Sequence, residues 1–188
     1  MQRITKDPDI RRQEIIDAAI HLFSEKGYEQ TSMLDITKKV NVSQGLCYRY
    51  FKSKEEIYQA ALENYVKHGV DVFLSLIGDD TQPFVSRLDK LQKMSGITQD
   101  DTYGKFVNRI ENSRFHMQMQ VALCEKLIPI VADIFQQAEQ RGEINIENPL
   151  AAASFCMFGQ LGIWLNTDIS DNEKLNQTKL LIKKSLGI

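Results

Sequence analysis

Two capping boxes and a turn signal lie within one short segment, and their spacing constrains the fold more than any other feature of the sequence. Ser32-Met33-Leu34-Asp35 and Ser53-Lys54-Glu55-Glu56 each place a carboxylate three residues after a serine, as at a helix start. Between them, Asn41-Val42-Ser43 offers a residue that tolerates left-handed backbone and then a new cap. The segment predicts two short helices across a tight turn, the second from about Gln44 to Tyr50, with a long helix after them.

A longer helix is expected before this segment. Asp7-Pro8 combines an N-cap acid with a proline at the first helical position. Ile15, Ala19 and Phe23 then fall on one helical face, and Gly27 follows as a left-handed stop. Two short helices behind a long one predict a helix-turn-helix unit.

The charge of the chain is unevenly distributed. The first 54 residues hold ten Lys and Arg against seven Asp and Glu, whereas the remainder holds 13 against 18. A basic helix-turn-helix segment on an acidic body indicates a polyanion such as DNA as a partner at one end.

The rest of the chain is also expected to be helical, since 4 Pro and 10 Gly in 188 residues are too few for a turn-rich β fold. Helical periodicity covers Phe106 to Gln140, where Pro129 must break or kink the helix. Asn148-Pro149 opens an apolar helix, whose stretch from Leu150 to Leu165 is shorter than a membrane span. Ser170-Asp171-Asn172-Glu173 caps a last helix. The prediction is an all-α fold of about nine helices.

No secretory signal opens the sequence, and the three cysteines cannot all pair, so a reducing, cytoplasmic compartment is expected. Neither the cysteines nor the histidines have metal-ligand spacing, so no metal or cofactor is expected. Cys124 and Cys156 are interpreted as buried structural thiols, with oxidant sensing as the alternative. No nucleophile elbow or phosphate-binding loop is present, and the chain is not expected to be an enzyme.

The residues from Thr31 to Glu56 resemble the N-terminal signature of the tetracycline-repressor (TetR) family of transcriptional regulators. The resemblance covers about Ile10 to Leu62, and its caps, turn and aromatic positions agree together. It implies a TetR-type helix-turn-helix DNA-binding domain over residues 1–65. A helical ligand-binding and dimerisation domain over residues 66–188 is implied to follow.

Four residues depart from the family pattern: Thr37, Val40, Asn41 and Cys47. All four keep a similar size or turn propensity, so the helix-turn-helix prediction stands. The residues expected to pack its core are Ile36, Val40, Val42, Leu46 and Phe51.

The resemblance makes the second short helix the recognition helix. Gln44 can pair bidentately with adenine, and Gly45 leaves room for a base edge. A solvated surface position is the alternative for Lys54. The residues implied to contact DNA are Thr31, Ser32, Met33, Ser43, Gln44, Gly45, Tyr48, Arg49, Tyr50 and Lys54, of which Thr31, Tyr48, Tyr50 and Lys54 match phosphate-contacting positions.

Aromatic residues, methionines and amides mix in the segment from Tyr103 to Leu123, as in an apolar cavity with polar anchors. For each residue an ordinary core position is the alternative. The predicted pocket residues are Phe106, Asn112, Phe115, His116, Met119, Gln120, Phe158 and Trp164.

The helix from Leu150 to Leu165 is apolar nearly all round, and a monomer would struggle to cover it together with the last helix. A two-fold dimer is therefore predicted, with Ala152, Phe155, Gly159, Gly162 and Leu181 at its interface.

The resulting expectation is a homodimeric repressor that binds double-stranded DNA at a palindromic operator and is released by an unknown small-molecule effector. The alternative is a helical small-molecule or redox sensor with a vestigial DNA-binding head.

Overall fold

The structure, a computed structural model, describes residues 7–91 and 114–188. Within these residues the regular secondary structure is entirely helical, as predicted, with eight helices against about nine expected for the whole chain. They are α1 (Pro8–Lys26), α2 (Met33–Val40), α3 (Gln44–Tyr50), α4 (Lys54–Ile77), α5 (Phe84–Leu91), α6 (Arg114–Gln140), α7 (Pro149–Leu165) and α8 (Asp171–Ser185).

The chain divides into two compact units. The first holds the residues up to Tyr65 together with α6 as far as Met119, and the second holds the remaining residues. In the described ranges, no helix combines the length and the apolar character that crossing a membrane requires.

The helices of the first unit begin at the predicted caps. The Asp7 carboxylate accepts the amide of Asp9 at 2.8 Å. Ser32 and Asp35 form the complete capping box of α2, and the Ser43 hydroxyl caps α3. Since capping depends on residues only two or three apart, the sequence predicts these helix starts correctly.

Two turns separate the first three helices. Asn41 takes left-handed backbone (φ 57°, ψ 52°) between α2 and α3, as its residue type predicts. Gly27 also has positive φ, but with φ 88° and ψ 156° it does not lie in the left-handed helical region. The prediction of a left-handed stop at Gly27 is therefore wrong in detail, because the chain leaves α1 in an extended conformation open essentially to glycine alone.

The core of the first unit differs in part from the prediction. Ile36 and Phe51 are buried as expected, but Val40, Val42 and Leu46 are only half-buried. Cys47 is fully buried, because the inward face of α3 is centred on residue 47. The largest contribution comes from the inward side chains of α1, which are Ile15, Ile16, Ala19, Ile20 and Phe23.

The second unit has its own apolar core. It is built from residues of α4 to α8 and includes Phe73, Phe84, Leu127, Phe135, Ala153 and Leu186. Arg87 is also buried, and its Nε donates to the carbonyl of Ile77 at 2.7 Å, which gives the last carbonyl of α4 a hydrogen-bond partner.

Pro129 does not break α6, which continues from Arg114 to Gln140. A proline removes one helical hydrogen bond, here to the carbonyl of Glu125. Both residues lie on the exposed side of the helix, where water can bind that carbonyl. The predicted helix starts at Asn148 and Ser170 are confirmed, with side-chain caps on Ala151 and Glu173.

Candidate nucleic-acid interface

The short helix α3 has one buried and one solvent-facing side. Cys47 and Phe51 anchor its buried side. The exposed residues are Gln44, Gly45, Tyr48 and Arg49. All four are predicted DNA contacts, so the structure collects them on one accessible helical face.

Gly45 has open space around it. A Cβ built at this position meets no heavy atom of residues 7–91 and 114–188 within 4 Å. Glycine in a helix costs about 0.5–1 kcal/mol relative to alanine, and packing gives no reason for it here. A glycine that the fold does not require fits a position that a base edge approaches closely.

Ser43 and Tyr50 lie at the two ends of α3. The exposed Ser43 hydroxyl accepts the amide of Leu46 at 3.2 Å. A hydroxyl that accepts a hydrogen bond keeps its own proton to donate, so Ser43 can still bind a phosphate oxygen. Tyr50 is half-buried.

The start of α2 is occupied by a carboxylate. The Ser32 hydroxyl and amide both donate to Asp35 Oδ2, at 2.6 Å and 2.8 Å, and Lys26 Nζ lies 2.8 Å from the same oxygen. Hydrogen bonds from Lys26 and then Ser32 hold the pKa of Asp35 well below its ordinary value. With Ser32 engaged in this way, the main-chain amide of Met33, at the first helical position, is the donor that best suits a phosphate at this end.

Thr31 requires a correction. Its side chain is buried, with 2% exposed, and its hydroxyl donates to the carbonyl of Gly27 at 2.8 Å. A buried hydroxyl whose proton is already donated has none to offer a phosphate. The side chain of Thr31 therefore holds the turn between α1 and α2.

Lys54 is held in place by Tyr28. Its Nζ donates to the Tyr28 carbonyl at 2.6 Å and lies 4.0 Å from the centroid of the Tyr28 ring. An ammonium group has three donors, so this contact leaves others for a phosphate. Sequence reasoning did not identify Tyr28, because 26 residues separate it from Lys54 and no local signal joins the two.

Glu55 and Glu56 have local partners beside Lys54. The Tyr28 hydroxyl donates to the Glu55 carboxylate at 2.7 Å. Burial, and to a smaller extent this hydrogen bond, raises the pKa of Tyr28 to about 12. The Ser53 hydroxyl accepts a hydrogen bond from the Glu56 amide, as in the predicted capping box. The Glu56 carboxylate accepts a hydrogen bond from the amide of Lys52, whereas a capping box would have it accept from the amide of Ser53. Both carboxylates therefore serve the local structure.

Only part of the predicted ligand pocket can be located. Phe106 and Asn112 lie outside the described residues, as do the side chains of Phe115 and His116. On α6, Met119 is fully buried and Gln120 is half-buried. Phe158 and Trp164 are 42% and 38% exposed on α7. This exposure corrects the expectation for these two residues, because surface side chains do not enclose a ligand within one chain.

The residues predicted to form a dimer interface lie on an apolar surface of the second unit. Phe155 is 66% exposed on α7, and Leu181 is 47% exposed on α8. Gly159 and Gly162 are exposed, and a Cβ built on either meets no heavy atom of the described part of the chain within 4 Å. Ala152 is half-buried.

The three cysteines Cys47, Cys124 and Cys156 are free and buried, and burial raises the pKa of each thiol. Because the thiolate is the reactive form, this environment disfavours oxidant sensing. Within the ranges that the structure describes, no His, Cys, Asp and Glu side chains are grouped as metal ligands would be.

Comparison with known proteins relates the N-terminal segment that contains α3 to a family of bacterial regulators. Residues 15–61 match the sequence pattern of the bacterial regulatory proteins of the tetR family. The biofilm operon icaADBC HTH-type negative transcriptional regulator IcaR of Staphylococcus epidermidis is 44% identical over 63 residues. That match covers 34% of this chain and 34% of IcaR, so it spans about a third of the relative's length.

Two further similarities extend over most of the chain. The fatty acid metabolism regulator protein of Bacillus subtilis is 25% identical over 174 residues, covering 89% of this chain and 88% of that protein. The solved structure of Salmonella enterica GusR, at 19% identity, has a TM-score of 0.70 and covers 99% of this chain and 100% of GusR, which shows the shared fold. Residues 15–61 therefore carry the pattern of the tetR family of bacterial regulatory proteins, and sequence similarity to a bacterial regulator extends over 89% of this chain.

Proposed function

We propose that this chain is a DNA-binding transcriptional repressor that acts as a homodimer and leaves its operator when a small molecule binds. In this proposal, residues 1–65 bind DNA and residues 66–188 dimerise and bind the effector. The observation that carries the proposal is the outward face of α3, where Gln44, Gly45, Tyr48 and Arg49 are all exposed. Amide and guanidinium groups on an exposed helix are suited to reading base edges in the major groove.

Contacts to phosphates supply most of the affinity in this proposal. Ser43, Lys54 and the amide of Met33 lie at helix starts, where the backbone dipole favours an anion. Lys38, Lys39 and Lys52 are exposed in the same unit and add positive charge. Such contacts position a protein on DNA and make its affinity depend strongly on salt.

Dimerisation supplies the second DNA-binding unit. The exposed apolar positions of α7 and α8 are the surface that a second copy would cover, including Phe155 and Leu181. A two-fold dimer presents two copies of α3, which fit a palindromic operator when they are about 34–36 Å apart or a multiple of it.

Release by a small molecule follows from a shift between two dimer states. A ligand that binds more tightly to a state whose recognition helices do not match successive major grooves lowers operator occupancy. The Bacillus subtilis protein that is similar over most of this chain is named as a regulator of fatty acid metabolism. Genes of fatty acid metabolism are therefore the first candidates for the operators of this chain.

A salt titration tests the proposal. Fluorescence anisotropy would measure binding of the full chain to a random-sequence duplex as NaCl is raised. The logarithm of the association constant should fall linearly with the logarithm of salt, with a slope of about −0.9 per neutralised phosphate. Absence of binding, or binding that does not weaken with salt, would contradict the proposed function.

A further inference from the structure

Three aromatic side chains form a packed cluster in the first unit. The ring centroids of Tyr28 and Tyr58 are 5.1 Å apart with the rings nearly perpendicular, at 70°. The ring centroid of Phe23 lies 5.2 Å from that of Tyr28 and 6.1 Å from that of Tyr58. Edge-to-face contacts of this kind favour one relative orientation, so the position of each ring depends on its neighbours.

One end of this cluster holds Lys54. The ammonium group lies over the Tyr28 ring and donates to the Tyr28 carbonyl. A lysine side chain is otherwise flexible, because a stem of four carbons joined by rotatable bonds separates the charge from the backbone. The Tyr28 contacts therefore restrict where the ammonium of Lys54 is found.

The other end of the cluster is tied to α6. The Tyr58 hydroxyl donates to Gln118 Oε1 at 2.6 Å, across 60 residues of sequence. Gln118 lies in the second turn of α6, in the part of that helix that belongs to the first unit. Hydrogen bonds and ring contacts thus connect α6 to Lys54 through Tyr58 and Tyr28.

We propose that the Gln118–Tyr58 hydrogen bond is the contact through which α6 sets the position of the Lys54 ammonium. The inference rests on the proposed function, in which Lys54 binds a phosphate. Gln118, Tyr58 and Tyr28 are then positioning residues that act on DNA through Lys54.

The geometry makes this contact sensitive to small movements. A hydrogen bond of 2.6 Å is lost once its atoms separate beyond about 3.5 Å, so a shift of α6 by about 1 Å removes the hold on the Tyr58 hydroxyl. Because Tyr58 is then less constrained, its ring no longer fixes the orientation of the Tyr28 ring. The ammonium of Lys54 then samples more positions, and fixing it on a phosphate costs more entropy.

Two variants of the full chain test the inference on random-sequence duplex DNA. Tyr58→Phe removes one hydroxyl and keeps the ring, and Gln118→Leu removes the acceptor at an exposed position. Each should weaken binding about twofold to tenfold, the range for loss of one hydrogen bond, and should make the salt slope less steep. Gln137→Leu, the same substitution at another exposed position of α6, is the matched control and should bind like the wild-type chain. Far-UV circular dichroism and thermal melting check that each variant is folded.

The decisive comparison uses a Lys54→Ala background. If the hydrogen bond acts through Lys54, then Tyr58→Phe and Gln118→Leu have no further effect once Lys54 is removed. The inference is overturned if their losses persist undiminished in that background, or if they bind like the wild-type chain while Lys54→Ala binds weakly. It is also overturned if Lys54→Ala leaves the salt slope unchanged. In all three cases salt-dependent binding by the wild-type chain leaves the proposed function standing, whereas its absence overturns the function itself.

Discussion

At the scale of single residues, Gln44 and Lys54 represent two kinds of DNA contact with different signatures. Gln44 lies exposed on α3, and Lys54 is held by Tyr28 at the start of α4. Lys54→Ala should weaken binding to operator and random duplex alike and reduce the salt slope by about one. Gln44→Ala should leave the slope nearly unchanged and lose about 1–3 kcal/mol of binding free energy on the operator. This loss should be concentrated at one base pair per half-site.

Anisotropy titrations on both duplexes measure these signatures. Lys184→Ala, which removes an exposed lysine of α8, is the control for a mere change of charge. Equal losses on operator and random duplex for Gln44→Ala would show that α3 is not the recognition helix.

Asp35 gives a prediction for pH. Lys26 and Ser32 hold its pKa below the ordinary value of 3.8, so the folded state favours the charged carboxylate. A lowered pKa adds stability above pH 4, and this contribution is lost as the pH falls below 4. The urea midpoint of Asp35→Asn should therefore lie below that of the wild-type chain at pH 7, with a smaller gap at pH 3. A gap of the same size at both values would mean that the charge of Asp35 does not stabilise the fold.

At the scale of elements, the turn between α2 and α3 depends on left-handed backbone at Asn41. Asn41→Gly should change stability little, because glycine adopts this conformation freely. Asn41→Val should destabilise the chain by about 1–2 kcal/mol, because a branched side chain is strained there. Chemical unfolding of the two variants measures the difference, and equal stability would contradict the assignment of this turn.

Helix starts could be predicted from the sequence because caps are local. Asp7, Ser32, Ser43, Asn148 and Ser170 each bind an amide two or three residues ahead. Features set by distant residues could not be predicted. The chain's path after Gly27, the burial of Thr31 and the contact of Lys54 with Tyr28 all depend on how α1, α2 and α4 pack. The continuity of α6 through Pro129 depends on which side of the helix faces solvent.

At the scale of the whole molecule, the proposed dimer requires a close approach at α7. Gly159→Glu should leave the fold of one chain intact, since among the residues that the structure describes no atom lies within 4 Å of a Cβ built there. It should weaken dimerisation and with it operator binding, because a charge would be buried in an apolar interface. Light scattering at micromolar concentration should give the mass of two chains for the wild type and a lower mass for the variant. Gln137→Glu, at an exposed position of α6, is the control and should remain dimeric. A monomeric wild-type chain would contradict the dimer.

The candidate DNA surface could be predicted more fully than the ligand pocket for a physical reason. A recognition helix is one short segment, so residues such as Gln44 and Arg49 share a face whenever that helix forms. A pocket needs side chains from several helices to converge. The spacing of Phe158 and Trp164 along α7 does not show that both would lie at the surface.

Selection of bound sequences from a random duplex library tests the central claim, sequence-specific DNA recognition by a dimer, most directly. The wild-type chain should enrich an inverted repeat whose half-site centres lie about 10–10.5 base pairs apart, or a multiple of it. Under the same conditions, Gln44→Ala should relax the preference at one position of each half-site. Enrichment of no sequence, or of the same sequence with equal stringency by Gln44→Ala, would contradict the account.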